Sequence, residues 1–297
     1  MNNSYKNIIV GLLHLKGVGR HKVKHLLEMI QDPQSLSLLE IVAIGQTFQI
    51  ISNQIKQDEI RAAVDFANVL IYDCEQKKIN YITYLDKDFP ESMNFNDGPI
   101  LLFYQGDLNS LNSPKRAAVI GSRQPSPTGL DFAYNAAKTL AENDFVVISG
   151  LAVGCDTQAH LGCLSGGGKT VAFLPSGLSP VYPHANQFLA EKILSQNGCL
   201  MTEYNHQEKV QPYKFIERDR IQSATCHFVI VSNFSPLGGT IHTLEYCQKY
   251  RKTIYASPSI YKESKNGFEM LNKKNITYHI LDNSALKKLI ENFKENY

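Results

Sequence analysis

Three stretches of this sequence set small residues and glycine directly between an apolar run and a helical run, an order whose chemistry is anion binding. Ala117 to Ile120 is followed by Gly121-Ser122-Arg123, then by Pro125, Pro127 and Gly129, and then by a helical run beginning near Leu130. Phe145 to Ile148 runs into Ser149-Gly150-Leu151-Ala152-Val153-Gly154 and a helix carrying Asp156 and His160. Phe228 to Val231 leads through Ser235-Pro236-Leu237-Gly238-Gly239-Thr240 to a helix containing Glu245. A strand-turn-helix junction of this kind exposes backbone N–H groups at a helix N-terminus, where unpaired donors and the helix dipole favour a phosphate. Arg123 adds a planar fork of donors suited to one phosphate. Its other reading is a cap on the C-terminus of a neighbouring helix.

Other groups have the residue types for chemistry but not the setting. Gly166-Gly167-Gly168-Lys169-Thr170 shares letters with a P-loop, yet it follows a helix and enters a strand, the reverse of the Walker order. That places Lys169 at the end of its strand opposite the three turns. In Phe215-Ile216-Glu217-Arg218-Asp219-Arg220 two arginines flank an acid near the start of a predicted helix. Positions two apart do not share a helix face, so one arginine can face a cleft while the other holds structure, with Asp219 orienting either; a solvated charge run is the alternative. Asp156 and His160 stand i, i+4 on one helix face, but no further carboxylate or histidine arrives at ligating spacing, and a hydrogen-bonded structural pair is the reading. There is no nucleophile elbow, no HExxH, no GxGxxG with a downstream acid and no convincing acid/base pair, and no cofactor or metal is expected.

The elements that must position these turns are legible from the apolar pattern. From about residue 99 to 258, short apolar strands alternate with helices, which implies right-handed crossovers and a parallel sheet covered on both faces. The expected fold class is α/β, a Rossmann-like doubly wound, mostly parallel sheet, whose ligands bind beyond the carboxyl ends of the strands. This core belongs to a domain spanning 77–297. Ahead of it, residues 1–76 form a small all-helical domain in which Lys16-Gly17-Val18-Gly19 precedes a basic amphipathic helix from Arg20 to Ile30. A Gly-Val-Gly hairpin between two short helices is the core of helix-hairpin-helix or SAM-like modules, whose hairpin N–H groups can hold a DNA phosphate, with Lys16, Arg20, Lys22 and Lys24 adding charge. A plain tight turn in a helical docking domain fits equally.

Composition narrows the class further. Of 297 residues 43% are hydrophobic and 20% charged, ordinary for a globular protein, and a net charge of +2 neither demands nor excludes a polyanion. No signal peptide and no membrane span is read, and the six cysteines show no CxxC spacing, so free buried thiols in a reducing, cytoplasmic setting are expected.

Taken together, Gly121-Ser122-Arg123 with Ser126 and Gly129, Ser149-Gly150-Leu151-Ala152-x-Gly154-x-Asp156 with Ala159-His160, and Tyr182-Pro183-x-x-Asn186 resemble the DprA/Smf family of DNA-processing proteins. The resemblance covers roughly Tyr81 to Pro258. It implies a cytoplasmic homodimer that binds single-stranded DNA, protects incoming DNA and loads the RecA recombinase in natural transformation, with no catalysis. Carried over by motif, Arg123 contacts a DNA phosphate, Lys169 matches a basic position, and Arg218 and Arg220 fall on the family's Arg-Asn-Arg motif. The DNA or phosphate contacts expected are therefore Gly121, Ser122, Arg123, Ser149, Gly150, Gly154, Lys169, Arg218, Arg220, Gly238, Gly239 and Thr240, with Tyr182, Tyr213 and Phe215 as stacking candidates. Two departures bear on this: Asp219 puts an acid where the family has an amide, and Leu237-Gly238-Gly239 replaces a Ser-Gly-Ser turn. The stretch from Gly238 to Glu245 drifts towards the pattern of the lysine-decarboxylase-like LOG proteins. The alternative function is accordingly a nucleotide-binding sensor or LOG-like nucleotide phosphoribohydrolase in the same cleft, with Glu245 as the working acid. The residues after Pro258 are expected to be too few for the winged-helix domain that ends longer family members.

Overall fold

The computed structural model describes residues 5–235, 238–258, 260 and 265–296. The chain divides into two compact units, residues 1–89 with 94–103 and residues 90–93 with 104–297.

The first unit is helical before it turns to strand. Helices α1 (Tyr5–His14), α2 (Arg20–Met29), α3 (Leu38–Thr47) and α4 (Gln57–Gln76) bury one apolar stripe each, with Ile9, Leu12, Val23, Leu26, Ile41, Val42 and Ala63 fully enclosed. Two of the four starts are fixed by local sequence. Ser37 and Glu40 form a reciprocal cap on α3, and the Glu59 carboxylate accepts from the Lys56 N–H, 3.0 Å away, at the head of α4. Strand β1 (Asn80–Thr83) follows, beside the beginning of β2 (Leu101–Gly106), which leaves this unit after Phe103.

The second unit alternates strand and helix as its apolar pattern requires. Strands β3 (Arg116–Gly121), β4 (Val146–Ser149), β5 (Thr170–Phe173), β6 (Cys199–Thr202), β7 (Phe228–Asn233), β8 (Thr253–Ala256) and β9 (His279–Ile280) lie in the order β6-β5-β4-β3-β7-β8-β9, with parallel pairing throughout. Between them run α5 (Pro127–Ala141), α6 (Cys155–Ser165), α7 (Gln187–Ser195), α8 (Pro212–Thr225), α9 (Thr240–Lys249) and α10 (Lys265–Lys273), and α11 (Asn283–Asn296) follows β9. One core joins Ala117, Val119, Val147, Phe228 and Ile230 of the sheet to Ala133, Ala137 and Leu140 of α5, Ala159 and Cys163 of α6, and Leu286 and Ile290 of α11. The alternate residues Ala118, Ile148, Val229 and Val231 are also buried, so the central strands are covered on both faces. This is the Rossmann-like, mostly parallel α/β fold expected.

Element ends shift where capping outweighs periodicity. Helix α5 starts at Pro127 rather than near Leu130, because the Ser126 hydroxyl accepts from the Gly129 N–H at 3.1 Å and Pro127 opens the first turn. Strand β9, beyond the core expected at 99–258, is only two residues long, His279–Ile280. In the third glycine turn, Pro236 and Leu237 lie outside the described residues. Among the described residues no helix is long and apolar enough to cross a membrane, and all six cysteines are buried free thiols.

Candidate functional site

The chain path sets where a ligand can sit. From β3 the chain moves outward through β4, β5 and β6, then returns to the other side of β3 to lay down β7 and β8. The order therefore reverses at β3/β7, and the crevice beyond the carboxyl ends there is where ligands of such sheets bind. The turns after β4, β3 and β7 are side by side, because Ala117 and Ala118 are in register with Val147 and Ile148 on one side and with Phe228 and Val229 on the other.

The first turn is held tightly from below. A side chain at Gly121 would meet the Cys155 Sγ at 2.5 Å and the Ser232 Oγ at 2.8 Å. Ser122 donates its N–H to the Asn233 carbonyl at 3.0 Å, its hydroxyl accepts from the Gln124 N–H at 3.0 Å, and its carbonyl receives the Cys155 N–H at 3.1 Å. Ser122 is thus a strut, and Arg123 is the exposed residue that the strut carries. The Arg123 guanidinium carbon stands 4.5 Å from the centroid of the Phe215 ring, which Tyr182 meets edge-on at 6.0 Å. Arg123, Gly150, Ala152, Val153, Pro175, Tyr182, Pro183 and Phe215 line a crevice of about 40 Å³. Tyr182 is 40% exposed and Val153 41%, so the mouth offers apolar faces, while Tyr213, 60% exposed, is not among the residues that line it. A cation held over an aromatic ring keeps its outward N–H donors for a phosphate while the rim offers surface to a base.

The second turn is an anion site already filled from within. Asp156, on the first turn of α6, accepts from the Ala152 N–H at 3.3 Å, which satisfies a donor that sequence reasoning left for a phosphate. Facing it is Arg218. Its Nη1 donates to the Phe173 carbonyl at 3.0 Å and occupies the space a side chain at residue 150 would need, which is why position 150 carries glycine. Its Nε lies 3.0 Å from the Asp219 Oδ1. Burial raises the pKa of both acids, Asp219 to about 6, while Arg218 pulls each back down. Ser149 bonds the Val119 carbonyl at 2.8 Å, and Gly154, at φ +86°, lets the chain pass under the Ser122 carbonyl. His160 is enclosed as well. The Thr170 hydroxyl donates to the Val147 carbonyl at 2.7 Å, so the His160 Nδ1, 2.7 Å from that hydroxyl oxygen, carries the proton; burial first and Arg218 second push its pKa down to about 3.

The remaining predicted contacts are not brought to Arg123. Arg220 is fully buried, ion-paired to Glu203 and, at 3.5 Å, to Glu217. Neither Arg218 nor Arg220 faces the crevice: most of α8 beyond its first turn is enclosed, and the partner acids that hold the two arginines are partly brought in from outside the motif. Lys169 enters β5 at the opposite sheet edge, where its Nζ bonds Asp107 at 2.7 Å and draws that carboxyl below its ordinary range. Of the third turn, Gly238 donates to the Ser235 carbonyl at 2.9 Å, Gly239 precedes α9 with open space at its Cβ position, and Thr240 is buried. Glu245 is bonded by Lys274 at 2.5 Å and approached by His242 at 3.5 Å, and Lys274 holds its pKa low. Sequence reasoning missed Val153, Pro175 and Pro183 as lining residues; for Val153 the signal was an apolar side chain inside the turn bounded by Gly150 and Gly154.

The sheet topology and the crevice define a Rossmann-like α/β protein whose exposed surface beyond the strand ends pairs one arginine with aromatic rings. The chain belongs to the DNA recombination-mediator protein A family, whose model matches residues 80–291. It is 36% identical over 185 residues to the DNA processing protein DprA of Streptococcus pneumoniae, covering 62% of this chain and 64% of that protein. It is 26% identical to the Smf protein of Synechocystis over 87% of this chain and 66% of that one. The chain thus spans a little under two thirds of the length of these relatives. The X-ray structure of the S. pneumoniae DprA superposes with a TM-score of 0.75 at 28% identity, over 95% of this chain and 94% of that one. DNA processing protein A of Helicobacter pylori, solved for its single-stranded DNA binding mode, superposes with a TM-score of 0.63 at 26% identity, over 73% of this chain and 97% of that one.

Proposed function

We propose that this chain binds single-stranded DNA across the crevice at Arg123 and acts as a recombination mediator, without catalysis of its own. The observation that carries the reading is the exposed Arg123 guanidinium lying on Phe215 beside Tyr182. Binding of single strands combines backbone cations with stacking surfaces, and a duplex, whose bases are already stacked, gains nothing from the rings. Similarity to the H. pylori protein supports the same ligand. In this reading Arg123 takes the phosphate, Phe215 and Tyr182 take bases, and Gly121, Ser122, Ser149, Gly150 and Gly154 shape the two turns. Arg218 and Arg220 act from beneath as positioning residues rather than as phosphate contacts. Family membership extends the proposal to a cytoplasmic homodimer that protects incoming strands and hands them to a RecA recombinase in natural transformation. The nucleotide-hydrolase alternative has less support, since Glu245 is engaged by Lys274 and held ionised. The test is fluorescence anisotropy of the purified chain with labelled oligo-dT and with a matched duplex across a salt series. Salt-sensitive binding that prefers the single strand supports the reading, and equal or absent binding overturns it.

A further inference from the structure

The wall of the crevice rests on buried charge that does not balance. Asp156, Arg218 and Asp219 are 7%, 6% and 7% exposed, so the three form one enclosed cluster beneath the second turn. The Arg218 Nε lies 3.0 Å from the Asp219 Oδ1. Its guanidinium passes under Gly150, where a Cβ would strike it and come within 2.7 Å of the Asp156 Oδ2. One arginine thus stands between two carboxylates and can neutralise one of them. The groups around the cluster do not supply the missing charge. On α6 burial keeps His160 neutral, its pKa pushed down to about 3. On α9 the Thr243 side chain bonds Asp219, Cys247 is a thiol whose pKa burial pushes up, and the partly exposed His242 stands beside Glu245 at 3.5 Å. On α8 the Arg220 charge is taken by Glu203 and Glu217. Two like charges this close in a dry site do not both ionise freely, so the second acid keeps a proton until rising pH removes it. Burial sets the range by raising the pKa of Asp219 to about 6.

We infer that Asp156 and Asp219 are positioning residues that couple strand binding to a proton: a phosphate seated at Arg123 is bound together with one proton, taken up from solvent by the acid pair. The inference rests on the crevice reading and deepens it. The coupling follows from shared walls. Gly150, which covers Arg218, and Ala152, whose N–H the Asp156 Oδ2 accepts at 3.3 Å, line the same crevice as Arg123. In a crevice of about 40 Å³ a phosphate on Arg123 cannot stand away from those two residues. It brings a third negative charge over a cluster that already has one in excess, and a like charge disfavours the ionised form of an acid. Proton uptake removes the excess. The acid pair therefore titrates at a higher pH in the complex than in the free chain. Affinity is greatest below the free value and falls as pH rises through the value in the complex.

Oligo-dT anisotropy of the full chain from pH 8 to pH 5.5 at constant ionic strength tests this, with titration calorimetry at pH 6.5 in two buffers of different ionisation enthalpy. Affinity should rise by about five- to tenfold over that range, as expected when a like charge moves one pKa by roughly one unit, and the calorimetry should show net proton uptake. Asp219→Asn, which leaves a neutral side chain of similar size, should bind at pH 8 as tightly as the parent does at pH 5.5 and lose the pH response. Asp156→Asn should flatten the profile in the same way, and it serves if Asp219→Asn does not fold. His184, exposed next to Pro183 of the crevice, and His242 are the bases that could give a response of the same sign, so His184→Gln and His242→Gln should each keep it. A pH response that persists in both acid variants, its loss in either histidine variant, or no proton uptake by the parent overturns the inference. In those cases the crevice reading stands as long as Arg123→Ala still weakens oligo-dT binding. A parent chain that binds no oligo-dT at any pH overturns both.

Discussion

At the scale of single residues, exposure decides which cations can serve a polyanion. Arg123 is exposed and held by a ring, whereas Arg218 and Arg220 are enclosed with acids and Lys169 is spent on Asp107. Phe215→Ala removes both the ring under Arg123 and a stacking surface, and should cost about 1–3 kcal/mol of single-strand binding, read by anisotropy. Lys169→Ala should leave oligo-dT affinity within about twofold, because an ion pair with a half-exposed lysine contributes little and sits at the far sheet edge. A loss comparable to that of Phe215→Ala would place Lys169 in the site after all. Arg123 was legible as a cation on a strand-turn-helix junction. The burial of Arg218 and Arg220 was not, since Glu203, which neutralises Arg220, lies well upstream in sequence and reaches it only through the fold.

At the scale of elements, the two turns are built by close approach rather than by open donors. The strand-helix order was readable because central parallel strands are apolar on both faces, as Ala117 to Ile120 and Phe228 to Val231 show. What pattern could not reveal is that Asp156 folds back over the second turn and takes the place a phosphate was expected to fill. Gly150→Ala tests that packing. The added methyl collides with the Arg218 guanidinium, and overpacking of this kind should destabilise the fold by about 1–3 kcal/mol, seen as a lower denaturation midpoint. Gly154→Ala adds strain at φ +86° together with a 2.6 Å approach to the Ser122 carbonyl, so it should tilt the Arg123 turn and weaken oligo-dT binding as well as stability. Parent-like stability in both variants would mean that the turns do not depend on the buried arginine.

At the scale of the whole molecule, the buried cluster under the sheet edge makes stability respond to pH. Asp219 has its folded pKa raised from 3.8 to about 6, so the folded chain holds a proton that the unfolded chain has shed. Its favourable contribution is complete below the unfolded value and is lost as pH rises through 6. Relative to Asp219→Asn, the parent chain should therefore gain stability as pH falls from 6 to 4, by up to about 1.4 kcal/mol per unit. His160 acts oppositely: its pKa is lowered from 6.5 to about 3, so its contribution is present above 6.5 and is lost on acidification. Denaturant melts of parent, Asp219→Asn and a His160→Gln variant across that range separate the two. At the same scale the homodimer is a proposal from family membership, and light scattering at micromolar concentration would show a doubled mass. The central claim, a strand held by Arg123 over its aromatic neighbours, is met most directly by the salt dependence of oligo-dT anisotropy for the parent chain and Arg123→Ala. The account predicts weaker binding of any single-strand sequence and a log-log slope smaller by about 0.7, the share of a single phosphate. An unchanged affinity and slope would contradict it.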